Sequence, residues 1–580
     1  MGAVLLMVLT FAGYLVAYHT YGRFLARKVF RLRADALVPS RALQDGVDYV
    51  PTRKGVIFGH HYTSIAGTGP IVGPAIGIIW GWIPAVLWVF LGSIFMGAVH
   101  DFGILVLSLR HQGRSISEMA ADYFGPRIRY IFFTVVFLEL LIVIAVFGLV
   151  IAVIFDMFPQ SVFPVWMEIP IAVALGWFIV RHPNRIGIGT LAAVVLMYVT
   201  VVIGHYLPLR LPGGELLPAT GTWTVILLIY AFFASTLPVH RLLQPRDYIN
   251  AWELFVAMGL LIAGIVGSGL GGTLKIVAPA YNPHAVGAPP VWPFLFITIA
   301  CGAISGFHCL VSSGTSSKQI SHEPDAQFVG YGAMLMEAAL GILVIIAVAA
   351  GIGMAYETQG GVLLGGNAAW SAHYASWEAS KGLTSKITAM VVGSANMIAT
   401  VGRPIGISKD LAIVIMGVFI ASFAGTTLDS ATRIQRYAVS ELFAHLKCRH
   451  LAKRYPATAF AVLTAAALAF ITGANGNGAL KLWPLFGATN QVLAALALLL
   501  LTLHLRRRRG LAFLLTALPW LFMTILTFWA VIVNETTWAK EGNWLLSTIN
   551  GLILVLALWI LVEGLLALAR IRPSDAAADA

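Results

Sequence analysis

GHHYTSIAGTGPIVGP, residues 59–74, is the stretch on which the reading of this chain turns. It carries His60, His61, the hydroxyls of Thr63, Ser64 and Thr68, four glycines and two prolines. A bilayer-spanning helix asks for about 20 mostly apolar residues. This stretch instead opens an apolar run, 62–79, with groups that cost free energy to bury and residues that weaken helices. Broken backbone inside a membrane is tolerated only where it lines a cavity or is buried in protein. The stretch therefore reads as an interrupted helix at a binding site, with His60 and His61 at its entry.

The composition supports a membrane setting. The chain is 59% hydrophobic and 11% charged, with mean hydropathy +0.86, against about 25% charged residues in soluble domains. Apolar runs at roughly 3–19, 62–79, 84–109, 130–156, 164–180, 187–207, 223–240, 252–271, 292–313, 330–354, 408–428, 457–473, 481–503, 511–534 and 545–570 predict an all-α polytopic membrane protein of about fifteen spans. The net charge of +12 follows from basic cytoplasmic loops and calls for no nucleic-acid partner. With the N-terminus outside and the C-terminus cytoplasmic, most Lys and Arg fall inside, including the anchor Arg506–Arg509. The opening run MGAVLLMVLTFAGYLVAYHTYG lacks a basic n-region and a small-residue cleavage site, so it reads as a retained first helix. Segment 383–407 is apolar, but if it spanned it would flip every later loop. It is expected to be an outer-face helix or a re-entrant piece.

A second stretch echoes the first. GFHCLVSSGTS (306–316) repeats Gly59, His61, Gly67 and Thr68 as Gly306, His308, Gly314 and Thr315, at a constant offset of 247. The first stretch lies on a helix running inside to outside and the second on one running the other way. Interrupted helices in oppositely oriented repeats point to the binding site of a secondary transporter. The order predicts a five-plus-five inverted repeat with a seven-plus-seven repeat as alternative. Its parts are an N-terminal helix and basic segment (1–61), a first repeat (62–207), an inserted helix pair (208–291), a second repeat (292–503) and a C-terminal helix pair with a short tail (504–580).

The blocks FGHHYTSIAGTGPIVGP (58–74), GAVHDFGILVLSLRHQGRSISEMA (97–120), LPVHRLLQPRDYIN (237–250), SGFHCLVSSGTSSKQI (305–320), VGYGAMLMEAAL (329–340), TTLDSATRIQRYAVSEL (426–442) and WPLFGATNQVLAALAL (483–498) resemble the carbon starvation protein A family. That resemblance implies a bacterial inner-membrane carrier of short peptides or pyruvate. It also implies membership of the amino acid–polyamine–organocation superfamily, with a LeuT-like core.

Candidate residues follow from their chemistry. Gly67, Thr68, Gly69, Ser312, Ser313, Gly314, Thr315 and Ser316 would bind substrate through hydroxyls and freed backbone. His61, His100, Asp101, His308 and Glu337 are the proton-coupling candidates, because ionisable groups inside a membrane are functional hypotheses by default. In a LeuT-like carrier Thr426, Thr427 and Ser64 would form a cation site. Arg246, Asp247 and Lys318 are gate candidates on the inner side, Asp429 is placed to pair with Arg433 four residues on, and Trp80 suits the interfacial belt. The histidine spacings match no zinc motif, so no metal or cofactor is expected. The coupling ion is H+, with Na+ as alternative.

No nucleotide-binding motif or activated nucleophile is visible, which argues against an ATP-driven pump and against an enzyme. The sequence-based expectation is a proton-coupled symporter for short peptides or pyruvate-like carboxylates. The alternatives are a sodium-coupled amino acid carrier or a channel. Partners are the small-molecule substrate and membrane lipid, and the sequence carries no reading of the oligomeric state.

Overall fold

The computed structural model describes residues 2–214, 218–358, 360–507 and 510–571. Arg508 and Arg509 of the basic anchor, and the tail beyond Ile571, lie outside them. The chain is almost wholly helical. Among the described residues the one strand pair is the short antiparallel hairpin β1 (Tyr356–Glu357) and β2 (Leu363–Leu364).

The long elements are α1 (Gly2–Val29), α2 (Lys54–Ala66), α3 (Gly69–Gly77), α4 (Trp82–Arg110), α5 (Pro126–Met157), α6 (Val162–Arg181), α7 (Ile186–Tyr206), α8 (Ala219–Thr236) and α9 (Leu243–Leu270). They continue with α10 (Val291–Thr298), α11 (Gly306–Gly314), α12 (Gln327–Met354), α13 (Leu383–Gly402), α14 (Lys409–His445), α15 (Arg454–Phe470), α16 (Trp483–Arg506), α17 (Leu514–Lys540) and α18 (Trp544–Arg570). Among the described residues 13 helical segments are long and apolar enough to cross a membrane. The α2–α3 pair counts as one of them. Two further positions expected to span hold the 17-residue α15 and the split pair α10–α11.

Two places break a span. At the first, Gly67 has φ of +34°, a conformation that disfavours side chains, and Pro70 in the first turn of α3 has no N–H to donate. The helix leading into this break starts at Lys54 rather than at 62. The apolar run Val56-Ile57-Phe58 adds two turns, so His60 and His61 lie fully buried in the body of α2 and not at its mouth. The second break, 299–305, separates α10 from α11 and includes Gly302 at φ +89°.

Gly69, Gly73 and Gly77 place the two breaks side by side. A Cβ on Gly73 would lie 2.7 Å from the Thr298 carbonyl oxygen, and one on Gly69 would collide with Cys301. This stripe of small residues lets backbone approach backbone.

Around the breaks, α5 packs broadly on α14. The pairs α8–α5 and α15–α14 match each other, as do α9–α2 and α16–α11. α6 and α7 pack on each other and reach the rest mainly through α9. α13 lies against the far ends of α9 and α12: a Cβ on Gly264 would meet Met397, and Asn396 donates to the carbonyls of Gly351 and Ala355 at 3.0 and 2.7 Å. Trp80, expected at an interface, is fully buried and donates to the Pro289 carbonyl at 3.0 Å.

Candidate functional site

Two buried polar networks meet the breaks. The first is a chain of titratable groups. His100 Nδ1 lies 2.7 Å from Asp101 Oδ1, and His308 Nδ1 lies 2.9 Å from Asp101 Oδ2. His308 Nε2 lies 3.3 Å from Glu337 Oε2. Glu337 Oε1 accepts the backbone N–H of Gly302, inside the second break, at 3.0 Å. All four side chains are fully buried. The carboxylates arrive from α4 and α12, each of which contains a π-type turn upstream of its acid, at Ser93–Gly97 and Gln327–Gly332. Such turns recur at functional positions in helices.

Neighbouring groups fix the second break further. Asn490 Oδ1 accepts from the Phe307 N–H at 2.8 Å, capping α11, and from Ser305 Oγ at 3.1 Å. Gln491 donates to the carbonyls of Phe296 and Ile304 at 3.3 and 3.1 Å. The ligand-type atoms of Cys301, His308 and Glu337 lie within 4.8 Å of one another. Asp101 engages His308 Nδ1, Gly302 engages Glu337 Oε1 and Ser305 engages Cys301, while His308 Nε2 and Glu337 Oε2 face each other as a charge pair with no hydrogen bond of their own.

The first break is closed by hydroxyls. Ser64 Oγ and Ser430 Oγ are 2.8 Å apart, and Thr427 Oγ1 donates to the Ser64 carbonyl at 3.4 Å. Thr426 Oγ1 accepts from Asn250 at 2.8 Å instead of facing the break. His61 Nδ1 meets Ser316 Oγ at 2.7 Å, a direct tie between the two echoed stretches. Ser313 and Thr315 spend their hydroxyls on the carbonyls of Cys309 and Val311. Thr68 Oγ1, Ser312 Oγ, His61 Nε2 and His100 Nε2 are buried without a hydrogen-bond partner.

The second network centres on Arg246. Arg246 and Asp247 lie within the first turns of α9, fully inside the protein, rather than in an inner loop. These two gate candidates do not pair with each other. Arg246 Nε binds Glu168 Oε1 at 3.0 Å, and Nη1 binds Tyr230 Oη at 2.8 Å and Asp429 Oδ2. Asp247 binds His60. Gly425 leaves room for the guanidinium, since a Cβ there would collide with it.

Asp429 is thus paired with Arg246 and not with Arg433. Arg433 and Arg436 hold Asp48, at 2.7 and 3.0 Å. Burial pushes the Asp48 carboxyl up, but the Arg436 and Arg433 guanidiniums outweigh that and bring it down to about 2. Lys318 is buried with its ammonium 3.8 Å from the Tyr437 ring centre, a cation–π contact on the same face. Glu168 and Tyr230 escaped the sequence reading. The one signal for Glu168 was a carboxylate alone in an apolar run.

This face is also zipped through the main chain. Thr52 and Ile320 form a parallel bridge. Val50 N–H donates to the Lys318 carbonyl at 3.2 Å and Thr52 N–H to that of Gln319 at 2.9 Å. The segment leading into α2 and the one leaving α11 are therefore held together.

Two discontinuous helices lined by buried titratable groups inside a many-span helical bundle define the architecture of a membrane transporter. The comparisons agree. The profile of the carbon starvation protein CstA family matches residues 2–530, and this chain belongs to that family. It is 33% identical to the pyruvate/proton symporter BtsT of Escherichia coli (strain K12), over 91% of this chain and 81% of that one. It is 35% identical to the peptide transporter CstA of Bacillus subtilis (strain 168), over 90% of each. Among solved structures, a manganese transporter of Eremococcus coleocola is 14% identical with a TM-score of 0.47, covering 91% of this chain and 99% of that one.

Proposed function

We propose that this chain imports a small organic nutrient, a short peptide or a pyruvate-like carboxylate, across the bacterial inner membrane by proton-coupled alternating access. The observation that carries the reading is the chain His100–Asp101–His308–Glu337, ending on the Gly302 N–H. A proton gained or lost there alters the hydrogen bond that holds the second break, so protonation and helix geometry are linked. The printed names of the relatives support a peptide or pyruvate substrate. At the first break the Ser64 and Ser430 hydroxyls pair with each other and the Thr427 hydroxyl donates to the Ser64 carbonyl, which favours the proton over sodium as coupling ion.

The packing supports a five-plus-five inverted repeat of revised composition. α2/α3, α4, α5, α8 and α9 form one half, and α10/α11, α12, α14, α15 and α16 the other, because their pairwise contacts correspond. The inserted hairpin is then α6–α7 rather than the pair at 208–291. On this reading the face carrying Asp48, Arg433 and Lys318 is cytoplasmic.

Uptake into proteoliposomes under an imposed pH gradient tests the reading. Asp101→Asn is expected to lower gradient-driven pyruvate or peptide accumulation by about tenfold or more while substrate exchange persists. Full accumulation by that variant refutes the coupling role. Gradient-independent electrogenic flux would indicate a channel.

A further inference from the structure

Cys301, His308 and Glu337 converge from three pieces of chain: the second break, α11 and α12. The sulfur, a ring nitrogen and a carboxylate oxygen all lie within 4.8 Å of one another, and all three side chains are buried.

Two of the side chains have their other polar atom already engaged. His308 Nδ1 lies 2.9 Å from Asp101 Oδ2, so with the ring N–H donated to that carboxylate the lone pair sits on Nε2. Glu337 Oε1 accepts the Gly302 N–H at 3.0 Å, which leaves Oε2. The Cys301 thiol lies beside the His308 ring and 3.4 Å from Ser305 Oγ; a weak S–H donor makes such contacts without using up the sulfur lone pairs. Nε2 and Oε2 then face each other at 3.3 Å, and neither makes a hydrogen bond.

That separation is the one a tetrahedral ion imposes. Zinc sits about 2.0–2.1 Å from a histidine nitrogen and about 2.0–2.2 Å from a carboxylate oxygen, so the tetrahedral angle spaces two such atoms about 3.3–3.5 Å apart. The supporting contacts match as well. In metal centres a carboxylate orients the ligating imidazole through its other nitrogen, and the ligating carboxylate is itself hydrogen-bonded. Asp101 and the Gly302 N–H fill those two places.

We propose that Cys301, His308 and Glu337 bind a zinc-type divalent transition-metal ion, which pins the second break to α11 and α12. Thiolate, imidazole and carboxylate together select such an ion over magnesium and calcium, which take oxygen ligands. On binding, the Cys301 thiol gives its proton to solvent. Three protein ligands leave the fourth position open. Cys301 and His308 are seven residues apart and Glu337 is on another helix, a spacing that matches no short metal motif.

Cobalt(II) reports such a site directly, because a thiolate ligand gives it a charge-transfer band. Tag-free full-length protein in detergent, stripped with a chelator, is titrated with cobalt and then with zinc. The band is expected to appear, and about one equivalent of zinc should bleach it. Cys301→Ser is expected to remove the band, while Cys309→Ser and Cys448→Ser keep it. Glu337→Gln weakens a ligand and Asp101→Asn loosens the ring that carries another. Each is expected to raise the cobalt concentration for half effect about tenfold or more. Zinc should raise the unfolding temperature of the parent protein by about 2 °C or more, and leave that of Cys301→Ser unchanged. A parent protein without the band overturns the proposal, as does an equal zinc shift in Cys301→Ser. A band that survives Cys301→Ser, or is lost with Cys309→Ser or Cys448→Ser, overturns the assigned ligands. These readouts involve no transport and stand apart from the proton reading. On that reading zinc also blocks gradient-driven uptake, because it takes up Nε2 and Oε2. Metal binding without that block supports the site and counts against the proton reading.

Discussion

The two breaks solve one problem in different ways. The first is short: Gly67 turns the chain, Pro70 starts the next half-helix, and hydroxyls from α14 close over the gap. The second runs from Ile299 to Ser305 and is held by a carboxylate on one side and an amide on the other. Hydroxyls keep their hydrogen bonds across the physiological pH range, whereas a carboxylate–imidazole chain responds to protons. On the proposed function the first break is the rigid one and the second the one that responds to protons.

Substitutions that exchange these characters should break the comparison. The largest effect is expected from Gly67→Val. A Cβ at this φ of +34° would lie 2.5 Å from Thr427 Oγ1. Backbone strain of that kind costs on the order of 1–3 kcal/mol. Transport should vanish and thermal unfolding should come earlier, both readable on one preparation. Glu337→Gln should cut gradient-driven accumulation about tenfold or more while leaving exchange, since an amide still accepts the Gly302 N–H. Equal loss of both activities would make Glu337 a structural strut.

A smaller effect is expected at the cap of α11. Asn490→Ala should cost about 1 kcal/mol of stability, seen as a shifted denaturation midpoint, and Asn490→Asp should restore most of it. The ion pairs of Asp48 with Arg433 and Arg436 are sharper to probe than to break. Asp48→Asn should speed thiol labelling of Ser316→Cys, in a background free of the native cysteines, by about threefold.

The smallest effect is a null. Because the folded Asp48 carboxyl sits at about 2, below its ordinary value, its ion pairs are fully present above pH 4 and fade only as pH falls towards 2. Asp48→Asn should therefore destabilise the protein equally at pH 5 and pH 8. A penalty that shrinks toward pH 5 would contradict the assigned ion pairs.

The sequence made the interruptions visible because glycine, proline and paired hydroxyls have few other uses inside a membrane helix. The echo of His61 in His308 led to two residues that the fold brings into one buried region, although His61 meets Ser316 and His308 meets Asp101. Helix entry was misplaced because Val56, Ile57 and Phe58 are too few to register in a hydropathy window. Arg246 was legible as important but not its partners: Glu168 and Asp429 are 78 and 183 residues away. No local pattern encodes such pairs. On the proposed repeat the same limit moves the inserted hairpin. Hydropathy counts spans but does not say which of them pack against the breaks.

The zipper between residues 50–52 and 318–320 runs through peptide groups, so it is indifferent to which side chains the two strips carry. Side-chain exchange leaves these rungs in place, while a one-residue insertion or deletion pulls every rung out of step. The side chains of Thr52, Lys318, Gln319 and Ile320 are themselves buried, and Thr52 and Gln319 are hydrogen-bonded to Gln244, so exchanges there carry their own cost. A deep mutational scan should therefore show indels in these segments tolerated less well than any single exchange.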